Sequence, residues 1–158
     1  MTLALAVDRS PAVGPIRTAI EELTRLLEDR PDDVSLLVLL GELYARAGDE
    51  AKAGGHFTTA ADALYAAQDR RKAAAMFLAV LAIQPENEHA ELQLAAIAVD
   101  EHRTPQACEL LASIADRRSL SGNRRGEAEL RIRIADLVPD DLDAQLAGGA
   151  ARSRALSG

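Results

Sequence analysis

The stretch from residue 30 to residue 49, RPDDVSLLVLLGELYARAGD, opens on Pro31-Asp32-Asp33, and the same kind of triplet returns as Pro85-Glu86-Asn87 and as Pro139-Asp140-Asp141. The interval is the same both times, a 54-residue period, and segment 31–84 aligns with 85–138 without a gap. Identities fall at Leu40/Leu94, Ala53/Ala107, Ala61/Ala115, Asp62/Asp116, Arg70/Arg124 and Arg71/Arg125, among others. The turn chemistry says more than the identities. Asp33, Asn87 and Asp141 each stand before an apolar-periodic stretch, where a short side-chain oxygen can accept from the free N–H groups of a starting helix. The proline two residues earlier cannot continue the previous helix, because it lacks an N–H and restricts its neighbour.

Further cap signals divide each period. Asp49 and Thr104 precede one helix, the latter followed by Pro105 at a first-turn position, and Asp69 and Asn123 precede another. Three helices per period follow. Helices are expected near 15–30, 33–47, 50–67, 70–84, 87–102, 105–118, 124–138 and 141–154, eight in all and no strand. Ala107, Leu110, Leu111, Ile114 and Ala115 make one apolar stripe at a 3.6-residue period. Leu130, Ile132 and Ile134 alternate with charged residues as a strand would, and here the alignment with the helical run Ala73 to Ile83 overrides the local pattern.

Composition bounds the function. The 158 residues carry 25 acids against 18 bases, a net charge of −7, which is the wrong sign for a phosphate-neutralising surface. Tyr44, Phe57, Tyr65 and Phe77 lie at core-like helical spacings rather than among Lys and Arg, so nucleic acid is not the expected partner. A single cysteine, Cys108, allows no internal disulfide and no thiolate cluster. With no basic leader and no apolar run of membrane-spanning length, neither export nor membrane insertion is expected and a cytoplasmic setting is the expectation, while alanine- and arginine-rich usage suggests a bacterial source.

No catalytic, metal or cofactor site is expected. His56, His89 and His102 fall on different helices without metal-ligand spacing, His89 reading as a helix-face residue and His102 as a helix-closing one. Acid pairs such as Asp32-Asp33 sit in first turns, where carboxylates complement the helix dipole rather than forming an acid/base pair. The arginines Arg70-Arg71 and Arg124-Arg125 recur in register at helix N-termini, where the dipole disfavours cations. They read either as partners of Asp62 and Asp116 or as a ladder for an acidic ligand, which Arg117-Arg118 would extend.

The residues resemble a tetratricopeptide repeat, a helix pair with small and large apolar residues at fixed places. In 34–67, Leu37, Leu40, Gly41 and Tyr44 fall on the signature places of the first helix and Ala53, Phe57 and Ala60 on those of the second. The window 54–87 fits through Phe57, Ala61, Leu64, Ala73, Phe77, Val80 and Pro85. The window 88–121 keeps Leu94, Ala95, Ala107, Leu111 and Ile114 but departs at Glu91 and Ala98. The resemblance implies an all-α fold, a right-handed α-solenoid of about eight antiparallel helices. Its expected organisation is a leader over 1–13, one repeat domain over 14–155 with units 31–84, 85–138 and a partial 139–155, and a tail over 156–158.

Family function implies a non-catalytic scaffold that binds a peptide or helix of a partner protein in a mostly apolar concave groove. The places that would line it are Ser35, Val38, Leu39, Glu42, Ala45 and Arg46, then His89, Leu92, Gln93, Ala96, Val99 and Asp100. They lack the Lys and Asn set with which chaperone-binding members clamp a terminal carboxylate. The alternative is a self-associating assembly subunit, joined through an unfinished third repeat that leaves Leu142, Leu146 and Gly149 without a following hairpin.

Overall fold

A computed structural model describes residues 13–138. These residues form seven α-helices, and no strand occurs among them: α1 (Val13–Asp29), α2 (Val34–Arg46), α3 (Glu50–Ala66), α4 (Arg70–Ile83), α5 (Glu88–Asp100), α6 (Thr104–Leu120) and α7 (Arg124–Leu137). The eighth expected helix, 141–154, lies outside the described residues. The helices α2, α3 and α4 recur as α5, α6 and α7, with every start and every end displaced by the interval that separates Pro31 from Pro85. Among the described residues the fold is all-α, a succession of helices joined by short turns, and its period is built into the backbone as well as the sequence.

Two kinds of turn make that period. After α1 and α4 the chain passes through the proline triplets, where Asp33 accepts from the N–H groups of Ser35 and Leu36 at 3.0 and 3.2 Å and Asn87 accepts from Ala90 at 3.0 Å. After α2, α3, α5 and α6 one residue turns left-handed: Gly48 (φ 78°), Gln68 (64°), His102 (58°) and Gly122 (79°). The next N–H then reaches back to close each helix, as from Asp49 to the Tyr44 carbonyl and from Asn123 to that of Arg118. Asp49, Asp69 and Asn123 also cap the helix they introduce, accepting from Lys52, Lys72 and Gly126. One residue thus ends one helix and begins another.

The turn after α5 differs from expectation. Thr104 is the first residue of α6, and the capping position belongs to Arg103, whose side chain cannot accept a hydrogen bond. Arg103 turns to Glu101 and Gln106 instead. Pro105 still sits in the first turn, where its missing N–H costs nothing.

The chain divides into two compact units, the first ending at Ala90 and the second beginning at Glu91. In the first, α1 packs on α2, α2 on α3 and α3 on α4. Leu40, Ala53, Ala60, Ala61, Ala73, Phe77 and Val80 are fully enclosed. Gly41 is what lets α2 and α3 approach: a Cβ there would stand 2.5 Å from the Phe57 ring. In the second unit Ala95, Leu111, Ile114, Ala115 and Leu130 form the core. The alternating segment resolves as helix, with Leu130 buried and Ile132 62% exposed. Residues two apart, such as Leu130 and Ile132, fall on opposite sides of a helix and share a face only on a strand.

Candidate functional site

The two expected groove surfaces fare differently. On α2, Ser35, Leu39, Glu42, Ala45 and Arg46 are exposed and Val38 is half-buried. They form one stripe because they stand at i, i+3, i+4, i+7, i+10 and i+11 of a single helix. Leu37 and Leu40, on the opposite side, are buried and hold the helix down. Leu39 keeps 46% of its surface in solvent although it is a large apolar residue. The side chains of Ser35, Glu42 and Arg46 make no hydrogen bond or ion pair among the described residues. Glu42 and Arg46 are one turn apart, and both remain turned to solvent.

The α5 residues are largely committed. His89 places Nε2 2.9 Å from Asp62 Oδ1 and 3.2 Å from Oδ2, with its ring edge-on to Phe77. Leu92 packs against the second unit's core, so it serves packing as much as any groove. Gln93, Ala96 and Val99 are half-buried, and Asp100 is exposed. Leu142, Leu146 and Gly149 lie outside the described residues.

The arginine pairs do not meet the acids expected of them. Asp62 takes His89, and Asp116 takes Arg131 at 2.9 Å. Arg70 instead donates to Gln68 at 2.5 Å and lies 5.9 Å from the Tyr65 ring centre, while Arg125 pairs one turn along with Glu129 at 3.0 Å. The reason is reach. An arginine at the start of a helix has its own next turn and the preceding turn within range, whereas Asp62 and Asp116 are met by residues further along the chain. Arg117 and Arg118 are structural: Arg117 pairs with the buried Glu91, and Arg118 donates to the Gly126 carbonyl at 3.0 Å.

The remaining chemistry-bearing groups are local. Tyr44 stacks on His56 with ring centres 5.3 Å apart and lies under Lys52 at 5.0 Å. Burial, helped by the Lys52 charge, lowers the His56 pKa. Burial raises that of Cys108, the opposite of what a nucleophilic thiol needs. Among the described residues no three His, Cys, Asp or Glu side chains gather as a metal site, and no helix is long and apolar enough to cross a membrane.

No protein-family model matches the chain, and no curated protein does. Solved structures do resemble it. A crystal structure of MamA is 14% identical over 89% of this chain and 99% of that one, with a TM-score of 0.38. A second structure of MamA protein is 15% identical over 86% of this chain and 90% of that one, again with a TM-score of 0.38. YrrB, described as a TPR protein with an unusual peptide-binding site, is 14% identical over 88% of this chain and 86% of that one, with a TM-score of 0.36.

Proposed function

We propose that this protein is a protein-interaction scaffold and that the exposed stripe of α2 is its recognition surface. The observation that carries the reading is Leu39, an apolar anchor 46% exposed between Ser35 and Glu42, on a helix whose buried side is already complete. Val38 and Ala45 widen the apolar strip, and Glu42 and Arg46 offer one acceptor and one donor uncommitted to other side chains. Such a surface suits the apolar face of an amphipathic helix that carries both charges along its edge. A phosphate-rich or uniformly acidic ligand would find a single arginine there.

The experiment is a selection of displayed peptides against the protein, followed by amide chemical-shift mapping. Support consists of peptides with apolar residues at helical spacing that shift Ser35, Leu39, Glu42 and Arg46 and lose binding with Leu39→Asp. Peptides that bind elsewhere, or that ignore Leu39→Asp, would remove the reading. Leu39→Asp is a safe probe because the side chain lies outside the core.

A further inference from the structure

We propose that the outer face of α4 pairs, antiparallel, with the same face of a second copy of this chain. Once its N-terminal basic cluster is passed, α4 has no polar residue on any side: from Ala73 to Ile83 every residue is apolar. Its inner side is closed, with Ala73, Phe77 and Val80 fully buried. Its outer side is not. Ala75, Leu78 and Ala82 are exposed, Leu78 by 58%, and Ala79 is half-buried beside them. A helix apolar all round belongs in an interior, and this one has solvent on one face.

The repeat shows that the fold does not require those residues. At the places of Ala75, Leu78, Ala79 and Ala82, α1 has Glu21, Thr24, Arg25 and Glu28, and α7 has Glu129, Ile132, Arg133 and Asp136. Both neighbours in the period solvate this face with charges, and α4 alone removes all of them. The face answers to something other than folding.

Its pattern is self-complementary. Arg71, Ala75, Leu78 and Ala82 are spaced four, three and four, the seam of a two-helix coil. Turning one copy end for end, in the register that sets Arg71 against Glu86, places the small Ala75 opposite Ala82 on either side and the two Leu78 side chains side by side at the centre. Alanines let the two backbones approach, and leucines fill the space between them. Arg71 stands at the start of the seam and Glu86 just past its end, both exposed and neither in a salt bridge among the described residues. Antiparallel pairing brings Arg71 of each copy toward Glu86 of the other at both ends, while a parallel pair would set like charges together. That charge arrangement selects a second copy over an unrelated helix. A 14-residue helix spans about 21 Å, so the contact lies at or below the low end of stable interfaces, roughly 1,200 Å² in total, and the dimer is a weak one.

Sedimentation velocity over a concentration series from micromolar to millimolar tests this independently of the α2 surface. The expected result is a reversible monomer–dimer equilibrium that Leu78→Asp weakens about ten-fold or more with unchanged helical content. Arg71→Glu and Glu86→Arg, each alone, should weaken it several-fold, and the two together should restore it. A monomer throughout overturns the proposal. So does a dimer that ignores Leu78→Asp and dissociates with Leu146→Asp, which would place the contact in the C-terminal segment. Failure of the charge swap to restore the dimer overturns the antiparallel pairing. Peptide binding at Leu39 is read separately, so either idea can fail without the other.

Discussion

Glu91 and Arg117 form an ion pair at the two places where, one period earlier, the first repeat carries Leu37 and Ala63. The carboxylate is 7% exposed by residue and the guanidinium side chain 31%, with Ser113 accepting a second bond at 3.1 Å. Two apolar residues in one repeat stand where the next repeat has an ion pair, so both members differ together. Removing one member strands a buried charge, whereas removing both in favour of an apolar filling is often neutral or better. Arg117→Ala should therefore cost about 2–3 kcal/mol, less than a fully enclosed pair because the arginine is partly solvated. Glu91→Leu with Arg117→Ala, which copies the first repeat, should recover that loss or exceed it. Urea unfolding of the three proteins decides. A double variant as unstable as Arg117→Ala would sink the account.

The next prediction concerns helix approach. Gly41→Ala drives a methyl group into the Phe57 ring, which is itself held among enclosed residues and cannot withdraw without moving α3. Overpacking of this kind costs about 1–3 kcal/mol. Gly55, on the same helix pair but facing open space, is the control, and Gly55→Ala should raise stability by up to about 1 kcal/mol through helix propensity. Thermal unfolding of the two variants should move in opposite directions.

Gln68 and His102 occupy left-handed positions that glycine fills in the equivalent turns at Gly122 and Gly48. A side chain there costs about 1–2 kcal/mol that glycine avoids, partly offset by glycine's greater freedom in the unfolded chain. Gln68→Gly and His102→Gly should each stabilise by about 0.5–1 kcal/mol, and Gly48→Ala and Gly122→Ala should each destabilise. Both pairs are read as midpoint shifts in chemical unfolding. Stabilisation by Gly48→Ala would show that the turn is not under the strain its φ implies.

The helices were legible because punctuation and period agreed. Asp33, Asp49, Asp69, Asn87 and Asn123 all cap as their positions imply, and the alignment of the two repeats settled Leu130, Ile132 and Ile134 against a locally strand-like pattern. Ion-pair partners were not legible. A long arginine chooses among neighbours that only the packing brings near, so Asp116 meets Arg131 and not Arg124 or Arg125. One signal was available: opposite charges arising together between aligned repeats, as at Leu37 to Glu91 with Ala63 to Arg117, or Ala73 to Glu127 with Phe77 to Arg131. The second of these is also an ion pair, at 3.2 Å. For the candidate surface, the sequence located the stripe of α2 but could not show that Leu92, at the matching place on α5, is claimed by a core.

His56 supplies the pH prediction. Packed against Tyr44 and near Lys52, it has a folded pKa below its ordinary 6.5, so the folded state holds the neutral ring and the unfolded chain takes up the proton first. The unfolded state binds more protons in that window, so stability rises with pH through it. It is fully present above 6.5 and is lost as pH falls through 6.5 toward the folded value. Titration of the His56 ring by NMR should give a midpoint below that of a histidine in the urea-unfolded chain. Lys52→Ala should raise the midpoint only partway, because burial is the larger cause and the lysine charge the smaller. His56→Gln should flatten the dependence of unfolding midpoint on pH just below neutrality. A His56 midpoint at or above 6.5 would mean that the stacked ring is reached by water, and the Tyr44 contact would then contribute no desolvation.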